Sequence, residues 1–167
     1  RFYFYLNKIL KHKKEELIEI ENFFYPLDKI NNWNNMYGNN GFFQYQFIIP
    51  FNQWEKAYLE IKSKFKKYNV KSYLCVMKLM KNEEKKMSFS GDGLNFGIDF
   101  KNLKNSVSLM NDLDKVLIKY NGIIYLAKDS RLTEKNAKKL IKDYSIFQNY
   151  RKKNTLNKYF NSEQSKR

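Results

Sequence analysis

The chain has 167 residues, 43% of them hydrophobic, enough for one ordinary core, and carries a formal net charge of +15. A single cysteine, Cys75, and a single histidine, His12, exclude an internal disulfide, a cysteine zinc cluster, a histidine metal site and a Ser-His-Asp triad. The charge is not in itself a nucleic-acid signature: lysine, asparagine and isoleucine are inflated together, as an AT-rich coding bias would do, and runs such as Lys62-Ser63-Lys64-Phe65-Lys66-Lys67 read as solvated helix faces.

The first residue is Arg1, and the opening Arg1-Phe2-Tyr3-Phe4-Tyr5-Leu6 lacks the pattern of a signal peptide, so the chain reads as the C-terminal piece of something longer. No apolar stretch approaches the roughly 18 residues of a membrane span, and the lone cysteine fits a reduced, cytoplasmic setting. Residues 6–20 carry a helical pattern, followed by an aromatic, asparagine-rich loop over 23–41 with Pro26, Gly38 and Gly41 as breakers. The period then changes. Residues 42–50 read as a strand, 52–68 as an amphipathic helix on Trp54, Tyr58, Ile61 and Phe65, and 70–80 as a second strand. A charged turn over 81–86 leads, past Gly91 and Gly93, into a third strand over 94–100. A helix over 107–120 uses Leu109, Leu113, Val116 and Leu117, and Asn121-Gly122 ends it before a strand over 123–126. Beyond it Thr133 caps a helix through Ala137, Leu140, Ile141 and Tyr144, and a basic tail carries Tyr150, Leu156, Tyr159 and Phe160.

The order β-α-β-β-α-β predicts an α+β fold: an antiparallel sheet of ferredoxin-like order with both helices on one face, plus C-terminal helices. The expected division is a connecting helix and aromatic loop over 1–40, the α+β domain over 41–131, and a helical extension over 132–167. Side chains alternate along a strand, so each strand sorts into two sets. Phe43, Tyr45, Phe47 and Ile49, then Tyr73, Cys75, Met77 and Leu79, then Leu94, Phe96, Ile98 and Phe100 form the apolar sets. With these on the helices, Gln44, Gln46, Lys78, Asn95 and Gly97 point the other way, a face that suits a hydroxyl-rich ligand. A merely solvated face is the plain alternative, although Ile48, Leu74, Val76 and Met80 would give this one an apolar floor.

The run Tyr125-Leu126-Ala127-Lys128-Asp129-Ser130-Arg131 ends a short apolar strand on four polar side chains. It reads either as a lysine site or as a strand-end ion pair of Lys128 or Arg131 with Asp129. An RNA-recognition module has the same element order and reads RNA on its open face, but needs an aromatic octamer on its third strand. Asp92-Gly93-Leu94-Asn95-Phe96-Gly97-Ile98-Asp99 keeps only the glycine and phenylalanine at its second and fifth positions, and Asp99 would repel phosphate. Gly91-Asp92-Gly93 is a turn with no helix after it, and Glu83-Glu84, Asp112 and Asp114 offer no carboxylate pair.

Four segments together resemble the C-terminal half of the FAD-linked oxidases related to decaprenylphosphoryl-β-D-ribose 2′-oxidase, within the vanillyl-alcohol-oxidase-type superfamily. They are Phe24-Tyr25-Pro26-Leu27-Asp28 with Trp33-Asn34, Gly41-Phe42-Phe43-Gln44-Tyr45-Gln46-Phe47, Met87-Ser88-Phe89 through Asn95-Phe96-Gly97-Ile98-Asp99-Phe100, and residues 122–132. The resemblance implies a substrate-binding domain whose open sheet face covers the flavin, with the FAD-binding domain N-terminal to this chain. It implies that Lys128 and Tyr125 lie beside flavin and sugar, that Gln46, Lys78 and Asn95 line the substrate pocket with Gln44 nearby, and that a sugar carbinol is oxidised to a ketone. The substrate implied is a polyprenylphosphoryl ribose, which the basic tail would help reach at anionic membranes. Gly97 stands where mycobacterial members have a cysteine, so covalent chemistry at that thiol is not expected. Sugar-lactone oxidases, the related alternative, end on His-Trp-x-Lys where this chain has Tyr125-Leu126-Ala127-Lys128.

Overall fold

The computed structural model describes residues 17–84 and 86–166, so most of the helix expected over 6–20 lies outside the described residues. Two compact units are present, Arg1–Met36 and Tyr37–Arg167. In the first, helix α1 spans Ile20–Phe24 and a 3₁₀ turn follows at Pro26–Lys29. Phe23 and Phe24 meet edge to face, their ring centroids 5.3 Å apart.

The second unit holds strand β1 (Phe42–Pro50), helix α2 (Trp54–Tyr68), β2 (Ser72–Met80), β3 (Gly93–Lys101), helix α3 (Lys104–Lys119) and β4 (Ile123–Ile124). The sheet order is β2-β3-β1-β4 and every pairing is antiparallel. The β1-α2-β2 crossover therefore passes over β3, which is the split βαβ of the expected ferredoxin-like order. Alternate β1 and β3 side chains, Tyr45, Phe47 and Ile49 with Phe96, Ile98 and Phe100, are buried against Ala57 and Ile61 of α2 and Leu109, Leu113, Val116 and Leu117 of α3. Each large aliphatic side chain buried there contributes about 1.5–3 kcal/mol of transfer free energy.

Left-handed residues stop both helices. Asn69, at φ 51°, sends its N–H back to Phe65 and Lys66 carbonyls. Asn121 takes φ 55° after α3, and the Gly122 N–H then reaches the Leu117 carbonyl at 2.7 Å. Gly93 permits a close approach of backbones, since a Cβ there would lie 2.1 Å from the Ile49 carbonyl oxygen.

Three elements differ from the expectation. The last strand pairs only through Ile124, after which Leu126–Lys128 forms a 3₁₀ turn. The helix from Thr133 is two, α4 (Glu134–Leu140) and α5 (Tyr144–Lys153), because Ile141 is extended and Asp143 left-handed at φ 58°. Asp tolerates that conformation, so no glycine marks the break. Thr133 does cap α4, accepting the Asn136 N–H at 3.4 Å. Third, β2 carries a bulge between Ser72 and Leu74, which shifts its parity. Ser72 now lies opposite Phe100, and Tyr73 turns edge-on to Tyr37 instead of joining Cys75, Met77 and Leu79. No helix among the described residues is long and apolar enough to cross a membrane.

Candidate functional site

Three rows of side chains cross the face away from α2 and α3. Their members follow from the strand registers: Leu74, Asp99 and Gln44; Val76, Gly97 and Gln46; Lys78, Asn95, Ile48 and Ile123. The sheet thus brings Gln44, Gln46, Lys78 and Asn95 onto one face. Tyr125 extends the middle row, its N–H donating to the Gln46 carbonyl at 2.9 Å. Lys128 lies past the strand end and is exposed, yet it lines a small crevice together with Gln46 and Tyr125.

The face is not simply solvated. Asn95 is 5% and Asp99 4% exposed. Gln46 donates Nε2–H to Asn95 Oδ1 at 3.2 Å, which leaves the Asn95 side-chain nitrogen and the Gln46 side-chain oxygen for a ligand. Asp99 accepts from the Gln44 amide and from the Tyr37 hydroxyl, each at 2.8 Å. Tyr37 roofs this end, stacked on Phe42 with centroids 4.0 Å apart. Burial, and then the hydrogen bond to the Asp99 carboxylate, push its phenol up to about 12. At the other end Phe89 stacks on Tyr125 at 4.5 Å, and Gly91 packs so closely that a Cβ would meet Ile123 at 3.2 Å. Between these aromatic walls Gly97 is a gap, with only Gln46 atoms within 4 Å of where its Cβ would be.

The strand-end ion pair with Asp129 is not formed. Arg131 instead makes a two-pronged bond to Asp114, with Nη2 to Oδ1 at 2.7 Å and Nη1 to Oδ2 at 2.8 Å. Tyr45 donates its hydroxyl to Asp114 at 2.7 Å and Asn136 its amide at 3.2 Å, so this fully buried carboxylate is saturated. Burial and the Asp114 charge raise the Tyr45 phenol well above its usual range. Asp129 Oδ1 accepts the backbone N–H groups of Arg131 and Leu132 at 2.9 and 2.7 Å, which fixes the turn. Lys128 keeps its ammonium without a hydrogen bond or ion pair among the described residues. Behind the turn lies a separate, more apolar cavity of about 660 Å³, bounded by Leu126, Leu132, Ile141, Phe147, Leu156 and Phe160.

Asp99, Tyr37 and Asp114 are the polar residues that sequence reasoning passed over. For Asp114 a signal exists: it follows Met110 by four residues and precedes Leu117 by three, a carboxylate at core spacing. The open-face positions of β3 are Asn95, Gly97 and Asp99, and Phe96 is buried against Phe47, so the stacking platform of an RNA-recognition sheet is missing.

No protein-family model matches the chain. Over 124 residues it is 32% identical to the decaprenylphosphoryl-beta-D-ribose oxidase of Mycolicibacterium smegmatis. That stretch is 72% of this chain and 26% of the relative, so the chain spans about a quarter of that protein's length. The similarity agrees with the family resemblance seen in the motifs.

Proposed function

We propose that this chain, on its likeness to a decaprenylphosphoryl-ribose oxidase, is the substrate-binding portion of an FAD-dependent oxidoreductase acting on a sugar carbinol. The substrate in this reading is a polyprenylphosphoryl ribose whose 2′-hydroxyl becomes a ketone. The observation that carries it is an ammonium without a protein partner among the described residues, Lys128, sharing a crevice with Gln46 and Tyr125 at the end of a polar sheet face.

The donor set fits a flavin ring and a sugar. The missing side chain at Gly97 would leave room on this face, and Lys128 would supply positive charge near Gln46. No glycine-rich turn opens a helix among the described residues, so the cofactor's phosphates would be held by polypeptide outside them. When bound, the flavin supplies the hydride acceptor. Gln46 and Asn95, with one free side-chain oxygen and one free side-chain nitrogen, would orient adjacent sugar hydroxyls. Gln44, tied to Asp99, would hold the neighbouring surface in place, and Lys78 on the edge strand would meet the anionic end of the substrate. Tyr125, braced by Phe89, would bound the reacting carbon, and Lys128 would stabilise negative charge on the carbinol oxygen as it gives up its proton, or on the reduced flavin.

Lys128→Ala in the full-length enzyme is expected to slow flavin reduction by the sugar substrate about 100-fold, the usual worth of one such electrostatic group. Stopped-flow absorbance under anaerobic conditions reads the rate. Because Lys128 is exposed and unbonded, the melting temperature should not move; an unchanged reduction rate removes Lys128 from the mechanism.

A further inference from the structure

The segment after α5 is exposed, yet it is built. Tyr159 is 76% and Phe160 70% exposed, so apolar burial does little to hold it, and polar contacts take that role. Arg151 of α5 donates Nη2–H to the Phe160 carbonyl at 2.6 Å and to Asn161 Oδ1 at 3.3 Å. Ser162 and Ser165 then cap each other, each backbone N–H donating to the other's hydroxyl oxygen, at 2.8 and 3.1 Å. What this turn presents is Gln164. Its Nε2 donates to the Leu126 carbonyl at 3.1 Å and to Asp129 Oδ2 at 3.2 Å. Those acceptors belong to the first residue of the 3₁₀ turn Leu126–Lys128 and to the residue just after it. One amide therefore spans both ends of the turn that carries Lys128.

We propose that Gln164 is a positioning residue for Lys128, clamping its turn from the far end of the chain. The turn has two backbone bonds of its own, from the Lys128 N–H to the Tyr125 carbonyl and from the Asp129 N–H to the Leu126 carbonyl, each at 3.1 Å. Bonds of the 3₁₀ type are poorly aligned, so a single turn of them gains from outside support. Gln164 also engages the Asp129 oxygen that the Arg131 and Leu132 N–H groups do not use. That ties down the carboxylate next to Lys128 in sequence, which would otherwise compete for its ammonium. Both Gln164 bonds are exposed, so the effect of losing them is modest. The clamp stands on these contacts alone, whereas its consequence for catalysis rests on the redox reading above.

The test uses the full-length enzyme and Gln164→Met, which keeps the side chain's length and removes the donor. Hydrogen exchange read by mass spectrometry should show a peptide covering 125–132 exchanging about 2–10-fold faster, the worth of one net hydrogen bond, with β1 unchanged. Flavin reduction at saturating substrate, followed by anaerobic stopped-flow absorbance, should slow about 3–10-fold, less than for Lys128→Ala. In a Lys128→Ala background Gln164→Met should slow it no further, because a residue that acts through Lys128 then has nothing to position. A merely structural role would give the same loss in both backgrounds. Unchanged exchange over 125–132 overturns the clamp whatever the kinetics show. Faster exchange with unchanged reduction, or an equal further loss beside Lys128→Ala, overturns the positioning role. Should Lys128→Ala itself leave reduction unchanged, the redox reading fails and the positioning role with it, while the exchange result still decides the clamp.

Discussion

Asp114→Ala tests whether the buried cluster behind the strand end holds this unit together. The carboxylate accepts two bonds from Arg131, one from Tyr45 and one from Asn136, and it is fully buried. Removing it strands a guanidinium whose side chain is 14% exposed and whose Nε already lacks a partner among the described residues. Breaking one half of a buried ion pair costs about 3–5 kcal/mol, against a total stability of about 5–15 kcal/mol for a domain. Tyr45→Phe removes a single bond to a charged acceptor and leaves Asp114 three donors, so about 1.5–3 kcal/mol is expected. With a urea slope near 2 kcal/mol/M, Asp114→Ala should lower the denaturation midpoint by about 1.5–2.5 M and Tyr45→Phe by about half as much. Asp114→Leu combined with Arg131→Met should recover most of the loss, because apolar residues of similar volume replace buried pairs at little cost. A midpoint for Asp114→Ala within about 0.3 M of the parent, or a double variant no better than the single one, would show that the cluster is not what anchors this turn.

Asp112 makes a different, pH-dependent contribution. Its bond to Lys115, reinforced by Tyr68 and Lys67 and opposed by partial burial, holds its carboxyl well below the usual carboxylate range. A lowered folded value stabilises fully above the unfolded pKa near 4 and fades as pH falls toward the folded one. The stability gap between the parent and Asp112→Asn should thus be constant from pH 6 to 8 and narrow below about pH 4; urea melts showing an undiminished gap at pH 2 would contradict this. Two glycines separate close packing from open space. Gly93→Ala must push the Ile49 carbonyl aside and should cost at least the 1–3 kcal/mol typical of overpacking, whereas Gly97→Ala meets only Gln46 at 3.9 Å and should change stability by less than about 0.5 kcal/mol. Equal thermal midpoints for the two variants would refute that contrast. By the same geometry Gly97→Cys should fold and present a thiol on the open face.

How much was legible from sequence depended on whether the deciding contacts were local. The first strand was readable to the residue, because Gln44 and Gln46 alternate with Phe43, Tyr45 and Phe47 in an aromatic and β-branched run bounded by Gly41 and Pro50. The same rule correctly put Gln44, Gln46, Lys78 and Asn95 on one face, since a two-residue period needs no knowledge of partners. It failed at Tyr73, where one extra residue reversed the parity, and no glycine announced the bulge. The α4–α5 break was hidden for a related reason: Ala137, Leu140, Ile141 and Tyr144 keep helical spacing straight through it. That Asn95 and Asp99 are buried was not legible at all, because their cover includes Tyr37 and Gln46, which are distant in the chain.

The strand end shows most clearly what nearness in sequence conceals. Read locally, Lys128 and Arg131 flank Asp129 and invite an ion pair. The fold assigns Arg131 to a carboxylate seventeen residues earlier and turns one Asp129 oxygen onto its own backbone. Asp129 accepts N–H groups on both oxygens and makes no ion pair with Lys128, while the 3₁₀ turn holds the lysine next to Gln46 and Tyr125. A surface lysine usually gains a little from any carboxylate in reach. In the function proposed above, Lys128, which makes no ion pair among the described residues, would meet the negative charge of a bound ligand at the end of the polar face.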